Sequence, residues 1–151
     1  MISVVCVYNN QEILDHCLIR TLKKQNHPYE LILIDNTENK YNSAAKALNH
    51  GGSQAQEDYI MFVHQDMELN SPTWLSDVEE MLKSVEKVGV AGVAGRKGRT
   101  PRSNMKHGTP PRSVGIFPQD GPIEVQTVDE CLAIVPRRVF KENPFNEETC
   151  Q

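Results

Sequence analysis

The residues best suited to chemistry stand where an apolar run stops. Tyr59-Ile60-Met61-Phe62-Val63 is continuously apolar and aromatic, and it gives way at once to His64-Gln65-Asp66. A run of this kind reads as a strand buried on both faces of a parallel sheet. While the chain stays extended, side chains two apart point the same way, so His64 and Asp66 project together into the crevice at the carboxyl edge of the sheet. An imidazole and a carboxylate placed so can share a divalent cation, or they can solvate a strand end and cap a turn. Two more strand-like runs end alike, Ile2 to Tyr8 at Asn9-Asn10 and 30–34 at Asp35-Asn36-Thr37. A nucleotide base needs a flat partner and a donor-acceptor pair at its edge, which Tyr8 with Asn9 or Asp35 supplies.

Holding these strand ends together takes a βαβ arrangement. The first strand is rich in β-branched residues, and residues 11–25 carry Ile13, Leu14, Cys17, Leu18 and Leu22 at helical spacing. Ser43 is expected to cap a short helix through Leu48, with Gly51-Gly52 as its stop. After Asp66, Ser71-Pro72 reads as cap and first helical position, followed by one apolar face of Trp74, Leu75, Val78, Met81, Leu82 and Val85. Packing roles go to Leu18, Trp74, Met81 and Phe140. Residues 88–94 read as a small-residue strand whose glycines suit close approach of backbone or ligand. From 95 to 112 there is no hydrophobic period, and the prolines and glycines predict a long mobile loop. Three short strands follow at 113–117, 123–128 and 131–135, separated by 118–122 and by Asp129-Glu130. A last helix begins at Pro136.

A chain of 151 residues falls within one ordinary domain. Hydrophobic residues make up 38% and charged residues 24%, which is globular composition, although the mean hydropathy of -0.49 is on the polar side. No apolar run approaches membrane-spanning length, and no signal peptide is read. Cys6, Cys17, Cys131 and Cys150 are scattered without zinc or disulfide-framework spacing, which points to a reducing cytoplasm. The net charge of -4 argues against nucleic acid, yet six Lys or Arg and no acid fall between Arg96 and Arg112. That basic stretch is either simply solvated or a lid over a diphosphate. His16, His27, His50 and His107 are read as surface or cap residues. Walker, dinucleotide-binding and nucleophile-elbow motifs are all absent.

The apolar strand running into His64-Gln65-Asp66 resembles the signature of glycosyltransferases with the GT-A fold, family 2 in particular. There an Asp-x-Asp triplet follows such a strand, and its last aspartate binds the metal that holds the diphosphate of a nucleotide sugar. The His-Gln-Asp form is similar to a smaller branch of the streptomycin-biosynthesis type. Tyr8-Asn9 resembles the family's loop against the base, Asp35-Asn36 its base-contacting segment, and Ala47-Leu48-Asn49-His50-Gly51 its Ala-Arg-Asn-x-Gly. The run from Val128 to Phe140 resembles the acceptor-side segment, and Phe145-Asn146-Glu147 its Phe-Asp-Glu.

The resemblance implies a mixed, mainly parallel GT-A sheet flanked by helices. It divides the single domain into a nucleotide-binding half (1–95), the basic loop (96–112) and a partial acceptor-side half (113–151). Tyr8, Asn9, Asp35, Asn36 and Asn49 are implied nucleotide contacts, and Asp66 with His64 the metal residues. The cation is Mn2+ or Mg2+, with His64 either a ligand, a hydrogen-bonding neighbour of Asp66 or phosphate, or a buried structural histidine. The implied activity is sugar transfer from a nucleoside diphosphate, UDP-type favoured, to an unknown hydroxyl acceptor. Asp129 and Glu130 are the candidates for the base, whose usual position in the family lies beyond residue 151. The second reading is a nucleotide-sugar-binding or partner-interaction module without that base. Under either reading a homo-oligomer is a candidate cover for the C-terminal edge.

Overall fold

The computed structural model describes residues 1–117 and 121–148; Cys150 and most of the turn expected at 118–122 lie outside them. The strands Ile2–Tyr8 (β1), Glu30–Asp35 (β2), Tyr59–Val63 (β3) and Ala91–Gly92 (β4) share one sheet with Leu132–Pro136 (β10). Their order is β2-β1-β3-β10-β4. β1 pairs parallel with β2 and β3, whereas β10 runs antiparallel to β3 and β4. The sheet is therefore mixed and mainly parallel, as expected, with β10 as its reversed member.

Alternation along β1 decides which helix covers which face. Val4 and Cys6 pack with Leu14, Leu18, Leu22, Leu75 and Leu82 on one side; Val5 packs with Ile32, Ile34, Ala47 and Phe140 on the other. Ile2, Val4, Val5, Ile60 and Met61 are fully buried, each such side chain contributing roughly 1.5–3 kcal/mol.

The first helix (α1) starts at Asn10, whose side-chain oxygen accepts the Ile13 N–H at 3.1 Å. It runs Gln11–Leu14, widens into π-type turns over Asp15–Ile19, and closes as Arg20–Leu22. The helix is thus shorter and less regular than the sequence suggests. The reason is Thr21, a buried residue whose hydroxyl donates to the Leu18 carbonyl at 3.0 Å and accepts the Leu69 N–H at 3.1 Å. A side chain inserted this way perturbs the backbone ladder, and here it ties α1 to the segment just beyond Asp66.

The second helix (α2, Ala44–Gln54) begins at Ser43 as expected, Oγ accepting the Lys46 N–H at 3.3 Å, but it continues through Gly51-Gly52. These glycines let the helix lie close to the sheet. A Cβ on Gly51 would come within 2.5 Å of Val5 Cγ1, and one on Gly52 would strike the Phe140 ring.

The third helix (α3, Trp74–Ser84) begins later than Ser71-Pro72 predicts. Gln25 is the cause: its Nε2 donates to the Ser71 carbonyl at 2.7 Å, and its Oε1 accepts the Leu75 N–H at 3.0 Å. A distant side chain thus does the capping. Along α3 the buried positions are Leu75, Glu79 and Leu82, which turns Met81 outward at 43% exposure and corrects its packing role. The buried Glu79 carboxylate receives the Met1 amino group at 3.1 Å, His27 Nε2 at 2.8 Å and Lys83 Nζ at 2.7 Å. His27 is therefore a half-buried hydrogen-bond partner of Glu79 rather than a surface or cap residue.

Past β4 the chain leaves the main sheet. Ala94–Lys97 (β5), Thr100–Ser103 (β6) and Thr127–Val128 (β9) form a second sheet in the order β6-β5-β9, and Lys106–His107 (β7) pairs with Arg112–Ser113 (β8). The segment 95–112, expected to lack regular structure, is thus two hairpins. Gly98, at φ 61°, heads the two-residue connection between β5 and β6. The strand expected over 88–94 splits between the two sheets. Those expected over 113–117 and 123–128 shrink to short ladders and an Arg102–Ile116 bridge. Gly95 admits a backbone: a Cβ there would meet the Thr127 carbonyl. The last helix (α4, Arg137–Glu142) sets Phe140 against Phe62, ring centroids 5.4 Å apart.

Candidate functional site

Where β1 and β3 end side by side, the chain opens a cavity of about 260 Å³ lined by Val7, Tyr8, Asn9, Asn36, His64, Gln65 and Asp66. His64 and Asp66 are both exposed, and Gln65 between them is half-buried. The His64 N–H donates to the Cys131 carbonyl at 3.0 Å, continuing the β3–β10 ladder one step past Val63. Neither the His64 ring nor the Asp66 carboxylate has a hydrogen-bond or ion-pair partner among the described residues. A buried structural His64 does not fit this exposure.

Gln65 turns the other way and fastens the neighbouring loop. Its Oε1 accepts the N–H groups of Asn9 at 3.1 Å and Asn10 at 3.0 Å, and its Nε2 donates to Asn9 Oδ1 at 2.8 Å. One amide therefore fixes the loop bearing Asn9 relative to the strand end bearing Asp66. Sequence reasoning did not assign it a role. The signal was available in principle, since alternation directs a polar residue at that position away from the crevice toward a loop rich in backbone donors.

The second strand end is held in a similar way. The Asn36 N–H donates to the Tyr8 carbonyl at 2.8 Å, while its side chain accepts the Tyr41 N–H at 2.8 Å and donates to the Tyr41 carbonyl at 3.3 Å. Asp35 lies opposite Tyr8 across the β1–β2 ladder. Its Oδ1 accepts the Thr37 N–H and hydroxyl at 2.9 and 2.7 Å. These bonds hold its carboxyl below the usual range, with a further contribution from Tyr8. Burial and then Asp35 raise the Tyr8 phenol above its ordinary value.

Tyr8, Asn9, Asn36, His64 and Asp66 thus share one cavity, with Asp35 beside Tyr8 across the β1–β2 ladder. Asn49 does not line it. Its side chain donates to the Phe145 carbonyl and to Glu147, each at 2.9 Å, and accepts the Phe145 N–H at 2.9 Å. Asp129 stands beside the crevice because β10 is reversed and begins there. Its Oδ1 accepts the Cys131 N–H at 3.0 Å, which with the nearby His64 holds the carboxyl below its ordinary value. Glu130 is exposed, with no hydrogen-bond partner among the described residues. Burial first, and the Asp66 charge after it, pushes the Cys6 thiol up to about 12. Cys131 is likewise raised to about 12, by burial and then Asp129. Both remain protonated and poor metal ligands at neutral pH.

Among the described residues no group of three or more His, Cys, Asp or Glu could hold a metal by itself. A free carboxylate facing a cavity fits a hard cation whose remaining ligands are phosphate oxygens and water. A larger cavity, about 340 Å³, lies at the opposite edge of the sheet near Asp58, Tyr59, Pro136 and Arg137. Size does not decide here, because ligands of open α/β sheets bind beyond the carboxyl ends of the strands.

A mainly parallel sheet with helices on both faces, polar loops gathered at its carboxyl edge and one reversed strand bringing a second lobe against them has the architecture of the GT-A glycosyltransferases. The chain belongs to the glycosyltransferase like family, whose profile matches residues 3–131. Among solved structures, S. aureus TarS 1-349 superposes with a TM-score of 0.65 at 19% identity, covering 99% of this chain and 51% of that one. The same TarS fragment in complex with UDP gives 0.64 at 20% identity, with 99% and 51% covered. The mannosyltransferase PcManGT from Pyrobaculum calidifontis, in complex with GDP-Man and Mn2+, gives 0.62 at 12% identity, with 96% and 47% covered. The chain therefore spans about half the length of these proteins. No curated protein matches its sequence. Among the described residues no helix is long and apolar enough to cross a membrane.

Proposed function

We propose that this chain supplies the donor site of a metal-dependent glycosyltransferase that moves a sugar from a nucleoside diphosphate, UDP-type, to a hydroxyl acceptor. The observation that carries the reading is the unpaired Asp66 carboxylate opening into the cavity that Tyr8, Asn9 and Asn36 also line. The TarS complexes with UDP and UDP-GlcNAc, and the PcManGT complex with GDP-Man and Mn2+, support a nucleotide-sugar donor and a divalent cation. Tyr8, Asn9, Asp35 and Asn36 bind and orient the base, Gln65 keeps their loop in place, and Asp66 holds the cation. His64 donates to a phosphate or to Asp66, in keeping with the His-Gln-Asp reading of the triplet. The cation, Mn2+ or Mg2+, supplies Lewis acidity that neutralises the diphosphate.

Of the two candidate bases we favour Glu130, which is exposed and has no hydrogen-bond partner among the described residues. Asp129, already hydrogen-bonded and held below the usual carboxylate range, is a weak proton acceptor. That engagement favours one secondary reading, in which this chain alone binds the donor and transfers nothing. We place the protein in the cytoplasm, consistent with the free thiols of Cys6, Cys17 and Cys131 among the described residues.

Thermal unfolding with UDP and MnCl2 tests donor binding, since a ligand of the folded state alone raises the midpoint. The expected result is an increase that Asp66→Asn abolishes. No shift with any nucleoside diphosphate at millimolar concentration would overturn the reading. Hydrolysis of UDP-sugar by the chain would then separate catalysis from binding alone.

A further inference from the structure

We propose that the lobe built on residues 94–117 is a docking surface for the anionic face of a lipid bilayer. Charge supplies the first ground. The segment from Arg96 to Arg112 holds six of the chain's 16 Lys and Arg and none of its 20 acidic residues. Arg96, Lys97, Arg99, Lys106 and Arg112 are exposed, and none has an ion-pair partner among the described residues. The rest of the chain keeps ten basic residues against all 20 acids, so an anionic surface repels the body and attracts this face.

Apolar exposure supplies the second ground. Val114, Ile116 and Phe117 are 43%, 51% and 60% exposed. Ile116 lies against the basic strand itself and is not merely close to it in sequence. The Ile116 N–H donates to the Pro101 carbonyl and the Ser103 N–H to the Ile116 carbonyl, both at 3.1 Å, which lays the apolar segment along β6 beside Arg102. The hairpin that presents the cations is firm, since the Gly98 N–H at its tip is bonded to Gln126 Oε1 at 2.6 Å. Cations that reach lipid phosphates, around bulky apolar side chains that enter the acyl boundary, are what an interfacial surface requires. A soluble polyanion would account for the cations alone and leave Ile116 and Phe117 without purpose.

This inference does not depend on the donor site. The test is co-sedimentation of the whole chain with phosphatidylcholine vesicles, with and without phosphatidylglycerol. The expected result is binding to the anionic vesicles alone, falling several-fold as salt rises from about 0.1 to about 0.5 M. Lys106→Glu and Phe117→Ser are each expected to weaken it, with folding checked by circular dichroism. Phe117→Ser should leave any binding to soluble polyphosphate unchanged. Absence of co-sedimentation, equal binding to neutral vesicles, or parental behaviour of both variants would overturn the proposal. Binding to polyphosphate without vesicle binding would replace the bilayer by a soluble polyanion. A dimer in sedimentation velocity that Phe117→Ser dissolves would assign the patch to a second copy.

Discussion

At Gln65 one side chain satisfies three polar groups of the neighbouring loop, so Gln65→Leu is expected to loosen Asn9 and Asn10 without disturbing the core. The stability loss should be about 1 kcal/mol, as for a partly solvated hydrogen-bond set. The UDP affinity that we propose should fall by a larger factor, about tenfold, because the lost order is lost at the proposed donor site. Urea unfolding and a UDP titration of the thermal midpoint measure the two separately, and Gln65→Glu, which keeps the acceptor oxygens, should restore part of the affinity. Glu79 gives a pH-dependent counterpart. Burial alone would raise its pKa, but hydrogen bonds from Lys83, His27 and the amino terminus outweigh this and bring it from 4.5 to about 2. A carboxylate depressed in the folded state contributes stability that is complete above about pH 4.5 and is lost as pH falls through about 2. Glu79→Gln should therefore be less stable than the parent near neutrality, by on the order of 2 kcal/mol, with the gap closing in acid; urea midpoints at several pH values test this. At this scale His64, Asp66, Tyr8 and Asn9 were legible from type and spacing, because strand ends collect polar residues at one edge. Asn49 was not. Its pattern is compatible with ligand binding, yet its whole amide is used by Phe145 and Glu147, partners about a hundred residues away that no local pattern reveals.

The sequence read Gly51-Gly52 as the end of a helix, whereas α2 passes through both because the sheet and the Phe140 ring leave no room for a side chain. Two opposing effects meet in Gly52→Ala. Alanine favours helix by about 1 kcal/mol, while overpacking costs roughly 1–3 kcal/mol. The clash is with buried rings, the added Cβ striking Phe140 Cζ and coming within 3.0 Å of Phe62 Cζ. The expected net is a loss of about 1–2 kcal/mol, read from urea unfolding. The same kind of blindness explains the start of α3. Ser71-Pro72 has the local form of a cap, but Gln25 supplies the capping oxygen from another helix region and shifts the start to Trp74. The hairpins between 94 and 113 escaped notice because their pairing is by backbone, with no alternation of apolar side chains to announce it.

For the molecule as a whole, burial and pairing predict where the fold is most resistant. β1 has paired strands on both sides and helices on both faces, and β3 sits between β1 and β10. Amide exchange should be slowest in these two strands and markedly faster in β5 to β8, whose residues are mostly exposed. Hydrogen-exchange mass spectrometry distinguishes this from uniform protection. The α/β class, the central strands and the order of elements were legible in the sequence, since each buried strand is an apolar run between turn residues. The reversal of β10 was not, because a strand buried on both faces has the same composition in either direction. That second lobe leaves and rejoins the sheet at touching points: Gly92 pairs with Ala133, Gly95 pairs with Val128, and the Asp129 N–H meets the Ala94 carbonyl at 2.9 Å. An excursion closed at its own neck can lengthen, shorten or be exchanged while the strands beneath keep their register. Nature, or an engineer, can therefore refit that excursion without rebuilding the crevice at the strand ends.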